Sequence, residues 1–366
     1  LAPKARRAAA ARARAAALLV LGRRRRRRSR GLIPVVTFNH YTTPRWFAAR
    51  GGWVHPDAAA KFARFCDKAA RHLSSEIGYV VTLNEPNIMN ILKVVLPPPV
   101  MAAQHAMLVE AATATGAAKF AAGNAIEPED IDTSTRNLIA GHKAARAAIK
   151  AVRGDLPVGL SLSMFDDQAA GKDSIRDQMR AKLYGPWLEA VKGDDFLGVQ
   201  NYERQVWGRD GKLPAPTGVP INYSGSEVYP PSLGNSVRYA HEATGCPIFV
   251  TEHGVGTDND TIRANLIPPA LAGLKQVMDA GVPVLGYMHW SLIDNFEWIF
   301  GYKVKFGLHS VDPVTFARTA KPSAAELAAA RAQWREEALA LNTQLNSPMQ
   351  KAAAAAEQAA REHAAE

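Results

Sequence analysis

Short apolar runs rich in β-branched residues recur through the middle of the chain, at 33–39, 79–84, 158–164, 196–201, 248–252 and 284–290. Runs of this length bounded by turn residues read as strands buried on both faces. Between most of them, at 58–73, 138–152 and 232–243, apolar positions return every three or four residues, which predicts helices that bury one face. Pro or Gly punctuates several boundaries, as between Gly31 and Pro34 and between Gly245 and Pro247. Strand alternating with helix predicts parallel βα units. Six strands in this rhythm suit either a doubly wound sheet or most of a (β/α)8 barrel.

Polar residues gather where the apolar runs end: Asn39 and His40, Asn84 and Glu85, Asp166 and Asp167, Asn201 and Tyr202, Thr251 to His253, His289 and Trp290. A site assembled from many strand ends is the habit of a barrel. A dinucleotide-binding sheet would concentrate its signature in one Gly-rich turn, and no GxGxxG follows any of these runs. The expected fold is therefore α/β, a (β/α)8 TIM barrel incomplete at its N-terminal side, with strands three to eight recognisable.

The flanks differ from this body. Residues 1–30 are an Ala/Arg low-complexity segment holding Lys4 and eleven arginines, among them Arg23 to Arg28, and no acid. They account for +12 of charge, so the remaining chain carries −2 of the net +10. Nucleic-acid binding would rest on that segment alone, and none is expected of the body. No apolar run approaches the roughly 20 residues that span a bilayer, so no membrane partner is expected. Residues 341–366 form an Ala/Glu-rich tail with almost no apolar face. The expected domains are thus 1–30, a catalytic barrel at 31–340, and the tail. Two cysteines, Cys66 and Cys246, stand in no metal-ligand spacing. They suit a reducing compartment, and with no convincing signal-peptide core the expected location is cytoplasmic.

Two acids stand out. Glu85 closes the run VVTLNEPN and Glu252 closes PIFVTEHG, so each carboxylate is presented at a strand mouth. Two carboxylates at one barrel mouth are the minimum set for cleaving a glycosidic bond, one held protonated and one ionised. Spacing alone equally allows two strand-end acids in surface ion pairs.

The motifs around these acids resemble glycoside hydrolase family 1, the β-glucosidase family. VTLNEPN is similar to its TLNEP acid/base motif and VTEHG to its TENG nucleophile motif. HWSLIDNFEW followed by GYKVKFGLHSVD is similar to its WSLxDNFEW and GYxxRFGLxxVD segment, and VTFNHYTTPRWFAARGGW to its strand bearing a substrate-binding His. The resemblance implies Glu85 as general acid/base and Glu252 as nucleophile of a retaining β-glycosidase, with the carboxylates roughly 5–5.5 Å apart. It implies His40, Asn84, Trp290, Glu297 and Trp298 as sugar-binding, Tyr202 as a hydrogen-bond donor to the nucleophile, and Phe306 as a wall of the sugar subsite. No cofactor or metal is implied, and the expected partner is a small carbohydrate or glycoside. A non-catalytic or weakly active carbohydrate-binding relative is the alternative. The variable loops at 88–127 and 205–231 are expected to build the aglycone side.

The chain departs from the family pattern at His253, Gln200, Asn201 and Lys303 to Lys305. Its larger departure is residues 1–30, where the resemblance implies two βα units carrying a sugar-binding Gln and an Arg near the nucleophile. A basic targeting arm, divergent structure, and a message read out of frame are the competing explanations, the last favoured. Six strands would leave two open sheet edges, so weak activity or aggregation is expected of the chain as written.

Overall fold

A computed structural model describes residues 32–337. Residues 1–30 and 341–366, each expected to be a separate segment, lie outside the described residues. Six parallel strands form one sheet: β1 (Val35–Asn39), β2 (Tyr79–Asn84), β3 (Val158–Ser163), β5 (Phe196–Asn201), β7 (Ile248–His253) and β8 (Val284–Tyr287), paired in that order. The remaining two of the first eight, β4 (Asp166–Ala169) and β6 (Arg204–Trp207), pair in parallel with each other above the mouths of β3 and β5. The expected strands are present, with the first and last shorter than their apolar runs.

Among the described residues the helices with both ends defined are α1 (Arg45–Ala48), α2 (Ala58–Leu73), α3 (Ile88–Val95), α4 (Pro98–Thr115), α5 (Ile131–Val152), α6 (Arg176–Ala190), α7 (Ser232–Thr244) and α8 (Asp260–Asp279), and residues 322–337 are helical as well. The connection at 88–127, expected as loop, is therefore largely helical through α3 and α4. In α2 the buried residues are Ala58, Phe62, Cys66 and Ala70, one stripe at four-residue spacing. That stripe packs on α5, where Gly141 leaves room for the Trp53 ring; a Cβ there would lie 2.8 Å from it. His142 ties α5 to the sheet, its Nδ1 meeting Thr82 Oγ1 at 2.7 Å and its Nε2 meeting Asp194 at 2.8 Å. Gly245, at φ +71°, ends α7 in the left-handed turn that a glycine adopts without strain.

Ring contacts on the inner face show that the sheet is curled. Tyr79 of β2 and Phe249 of β7 are three strands apart, about 14 Å in a flat sheet. Their ring centroids are 5.5 Å apart, with Phe196 of β5 against both. At the mouth, His40 beyond β1 and Trp290 beyond β8 come within 6.2 Å, where a flat sheet would hold them about 24 Å apart. The main apolar core fills the space between the outer sheet face and the helices. This is an incomplete (β/α)8 barrel. Among the described residues β1 and β8 each have one neighbour. Leu285 of β8 is accordingly 42% exposed, whereas β5 is buried throughout.

Candidate active site

The chain leaves β2 through a left-handed residue, Glu85 at φ +41°. Such a conformation costs a non-glycine residue of order 1–3 kcal/mol and persists where neighbours impose it. Here Glu85 N donates to Ser161 O at 2.8 Å, and Asn87 exchanges hydrogen bonds with the Ser163 backbone at 2.8 and 3.2 Å. The turn after β2 is thus fastened to the end of β3, and the Glu85 side chain is fixed at the mouth.

Asn84, just before it, is buried and hydrogen-bonded at both its amide nitrogen and its amide oxygen. Its Nδ2 lies 3.1 Å from His40 Nε2, and its Oδ1 accepts from Gln200 Nε2 at 2.6 Å. An amide N–H facing Nε2 makes that nitrogen the acceptor and leaves the proton on Nδ1. Burial lowers the His40 pKa, in keeping with a neutral ring. Gln200, noted as a departure, is therefore the residue that orients Asn84. Asn201, the other departure on β5, is spent on structure: it donates to Met164 O at 3.0 Å and Ser236 Oγ at 3.0 Å. Asp166 and Asp167 are structural too. Asp167 accepts from Trp207 Nε1 at 2.6 Å, and Asp166 from Asn235 Nδ2 at 2.9 Å.

Across the mouth, the register between β5 and β7 slips where Val250 pairs Val199 and Glu252 pairs Gln200, which re-aims Glu252. Tyr202 donates its hydroxyl to Glu252 Oε2 at 2.5 Å, and its ring meets Phe306 edge-on at 5.6 Å. His253 points elsewhere: its Nδ1 meets the Tyr287 hydroxyl at 2.8 Å, which meets His289 Nδ1 at 3.0 Å. Burial pushes His253 down to about 3 and His289 down to about 4, so both rings are neutral and this chain staples β7 to β8.

The segment after β8 brings the third carboxylate. Glu297 accepts from Trp290 Nε1 at 3.3 Å, and its amide donates to Gly301 O at 2.7 Å. Gly254 allows the Trp290 backbone to lie against β7; a Cβ there would meet Trp290 O at 2.2 Å. Trp298 faces the mouth, 5.0 Å from the Tyr41 ring and 5.8 Å from His40. Lys303 to Lys305 are held through their backbone, the buried Arg263 donating to Lys305 O at 2.6 Å. All nine expected site residues thus lie at the strand mouths or on the segment that follows β8. Two more line the mouth. Tyr41 donates to Glu85 Oε2, and Tyr223 stands edge-on to Phe300 at 5.3 Å and to Phe306 at 5.8 Å. Tyr41 lies inside the VTFNHYTTPRWFAARGGW motif, directly after His40, which is a usable signal. Tyr223 lies in a long connection with no such signal.

Electrostatics departs from the expectation of one raised and one low carboxylate. Burial raises Glu85, and Tyr41 and Ser163 partly oppose it. Glu252 is held well above the ordinary range by burial and by Glu85 and Glu297, with Tyr202 opposing. Burial raises Glu297 as well. Among the described residues no cation counts among the groups acting on these three, and that is why none is held low. A carboxyl with a raised folded-state pKa must give up its proton against burial as pH rises, so it destabilises the fold above its unfolded value near 4.3. Glu252→Gln is therefore expected to stabilise the chain at pH 7 by about 0.5–2 kcal/mol. In thermal melts the gain should shrink to nothing near pH 4; equal gains at both pH values would refute this origin.

Among the described residues no group of three or more His, Cys, Asp or Glu is placed to hold a metal ion. Within the same residues, no helix is long and apolar enough to cross a membrane.

Comparison with known proteins agrees with this geometry. The family model described as Glycosyl hydrolase family 1 matches residues 26–145 and 212–331. A beta-galactosidase of Pyrococcus woesei is 27% identical over 345 residues, covering 79% of this chain and 66% of that protein. The chain spans about two thirds of the length of the first curated relatives it matches. Among solved structures, beta-glucosidase 1317 superposes with a TM-score of 0.78 at 37% identity, covering 83% of this chain and 75% of that one. Beta-glycosidase BGL167 gives 0.77 at 39% identity, covering 84% and 74%.

Proposed function

Because the chain belongs to glycosyl hydrolase family 1, we propose that it is a retaining β-glycosidase acting on neutral β-glucosides or related β-glycosides. The observation that carries this reading is the pairing of Glu85 at the mouth of β2 with Glu252 at the mouth of β7. The Glu85 charge acts on Glu252, and each accepts a tyrosine hydroxyl, from Tyr41 and Tyr202 respectively.

Mutual repulsion favours one proton shared by the pair, and the state with that proton on Glu85 is the reactive one. Ionised Glu252 attacks the anomeric carbon, the bond to the leaving oxygen breaks, and Glu85 gives that oxygen its proton. The glycosyl group is then covalently bound to Glu252. Glu85, now ionised, takes a proton from water; the hydroxide oxygen bonds to the anomeric carbon and Glu252 leaves. Two inversions give net retention.

The Trp290 and Trp298 faces suit the apolar face of a pyranose. Glu297 can accept from two adjacent hydroxyls, with His40 and Asn84 beside it. A carboxylate at Glu297 repels a 6-phosphate, so phosphorylated glycosides should be poor substrates. The test is nitrophenol release from p-nitrophenyl β-D-glucoside, with the anomer formed first read by proton NMR. β-Glucose appearing first, and at least about tenfold slower release from the 6-phosphate, is expected. α-Glucose first, or no release from folded chain, overturns the reading.

A further inference from the structure

Tyr41 is bound to Glu85 by an arrangement that neither residue would adopt alone. It directly follows His40 beyond β1 and holds φ +61°, while Glu85 holds φ +41°. A bulky left-handed residue at each end of one hydrogen bond needs neighbours that impose it. On the Tyr41 side these are visible. Thr42 N donates to His40 O at 2.7 Å, closing the turn. Gly123 lies so close that a Cβ there would come within 1.6 Å of Tyr41 O. The buried ring is wedged edge-on against His40 at 5.1 Å and Trp298 at 5.0 Å.

From this geometry we infer that Tyr41 is a positioning residue for Glu85, its hydroxyl fixing the carboxylate through Oε2 and bracing the ionised form made when the proton leaves. The inference rests on Glu85 being the acid/base of the proposed reaction. Glu85 protonates the leaving oxygen in the first half, and the carboxylate left behind accepts the Tyr41 O–H. In the second half the same hydrogen bond orients that carboxylate toward water. No proton of Tyr41 is consumed.

Other groups face Glu85 as well. Glu252 comes from β7, Glu297 from the segment after β8, Ser163 from the end of β3, Tyr202 from beyond β5 and Tyr223 from the connection after β6. His40, beyond β1, is neutral. Burial and the Glu297 charge favour the protonated acid; Tyr41 and Ser163 oppose them.

The test is Tyr41→Phe, which removes one oxygen and keeps the ring contacts. A hydroxyl donating to a carboxylate stabilises the ionised form, so its loss raises the Glu85 pKa. The alkaline limb of kcat/KM should move up by about one to two pH units. Poor alkyl leaving groups should lose about tenfold in kcat/KM, while 2,4-dinitrophenyl, which leaves without a proton, should stay within about twofold. An unmoved limb with equal losses for all leaving groups would make Tyr41 a packing residue and overturn the inference. If the parent chain shows no turnover, the proposed function fails separately. The Glu85 carboxyl is then titrated by carbon-13 NMR, assigned with Glu85→Gln. A higher Glu85 pKa in Tyr41→Phe supports the inference, and an unchanged one overturns it.

Discussion

Glu252→Gln should cut kcat/KM for p-nitrophenyl β-D-glucoside by roughly 10⁴ or more, because an amide cannot form the glycosyl ester. The physical basis is positional. The register slip between β5 and β7 turns Glu252 into the mouth, where Tyr202 meets it at 2.5 Å. In the proposed reaction neither other carboxylate takes its part: Glu297 is assigned to sugar hydroxyls beside Trp290 Nε1, and Glu85 is assigned as the acid. Glu252→Gly separates loss of the nucleophile from loss of the site. A small anion such as azide fills the vacated space, attacks the anomeric carbon directly and yields the inverted glycosyl azide, restoring turnover of an activated aryl glucoside. Residual activity above about 1% in the Gln variant would mean that the nucleophile has been misassigned.

Trp187→Ala should produce the largest loss of stability, about 3–5 kcal/mol by urea unfolding followed by circular dichroism. Trp187 is fully buried, lies on α6 and belongs to the main core between helices and sheet. Its removal leaves a cavity that the surrounding Leu and Val side chains fill only in part. A domain holds only about 5–15 kcal/mol in total, so this variant should be partly unfolded at moderate temperature. Trp187→Phe should cost much less. The indole Nε1 is buried without a hydrogen-bond partner among the described residues. Losing it recovers about 1–3 kcal/mol of desolvation, offsetting part of the smaller cavity. Equal losses for Ala and Phe would show that the ring's packing is not what matters.

The six strands and the helices α2, α5 and α7 were legible because period is a local property. A run such as Val158 to Ser163, or the stripe Phe62, Cys66, Ala70, states its own burial without reference to the rest of the chain. Failures fell where local signal is absent. The apolar stretch at 284–290 reads as strand throughout, whereas β8 ends at Tyr287 and beyond it single backbone bonds, from Met288 N to Val250 O at 2.8 Å and from Trp290 N to His253 O at 2.9 Å, still tie the chain to β7. The residues at 88–127 are expected as a variable loop on the aglycone side, yet they hold α3 and then α4, which starts on Pro98 and Pro99, residues tolerated in a first helical turn. Asp166 and Asp167 look like site residues at a strand end, yet their partners Asn235 and Trp207 lie 69 and 40 residues further on.

What the sequence determined by itself is the order of βα units, the resemblance to a family, and the identity of Glu85 and Glu252 as the acids to examine. Only the tertiary structure decided how the sheet curls until His40 and Trp290, 250 positions apart in the chain, stand 6.2 Å from each other. It alone showed that Gln200 sets the Asn84 amide, that His253 turns away from the mouth, and that the Tyr41 hydroxyl meets Glu85. The physical reason is one of range. Propensity and periodicity act over a turn or a strand. The charge state of a carboxylate, by contrast, is fixed by how deeply it is buried and by which distant groups the fold brings within a few ångströms.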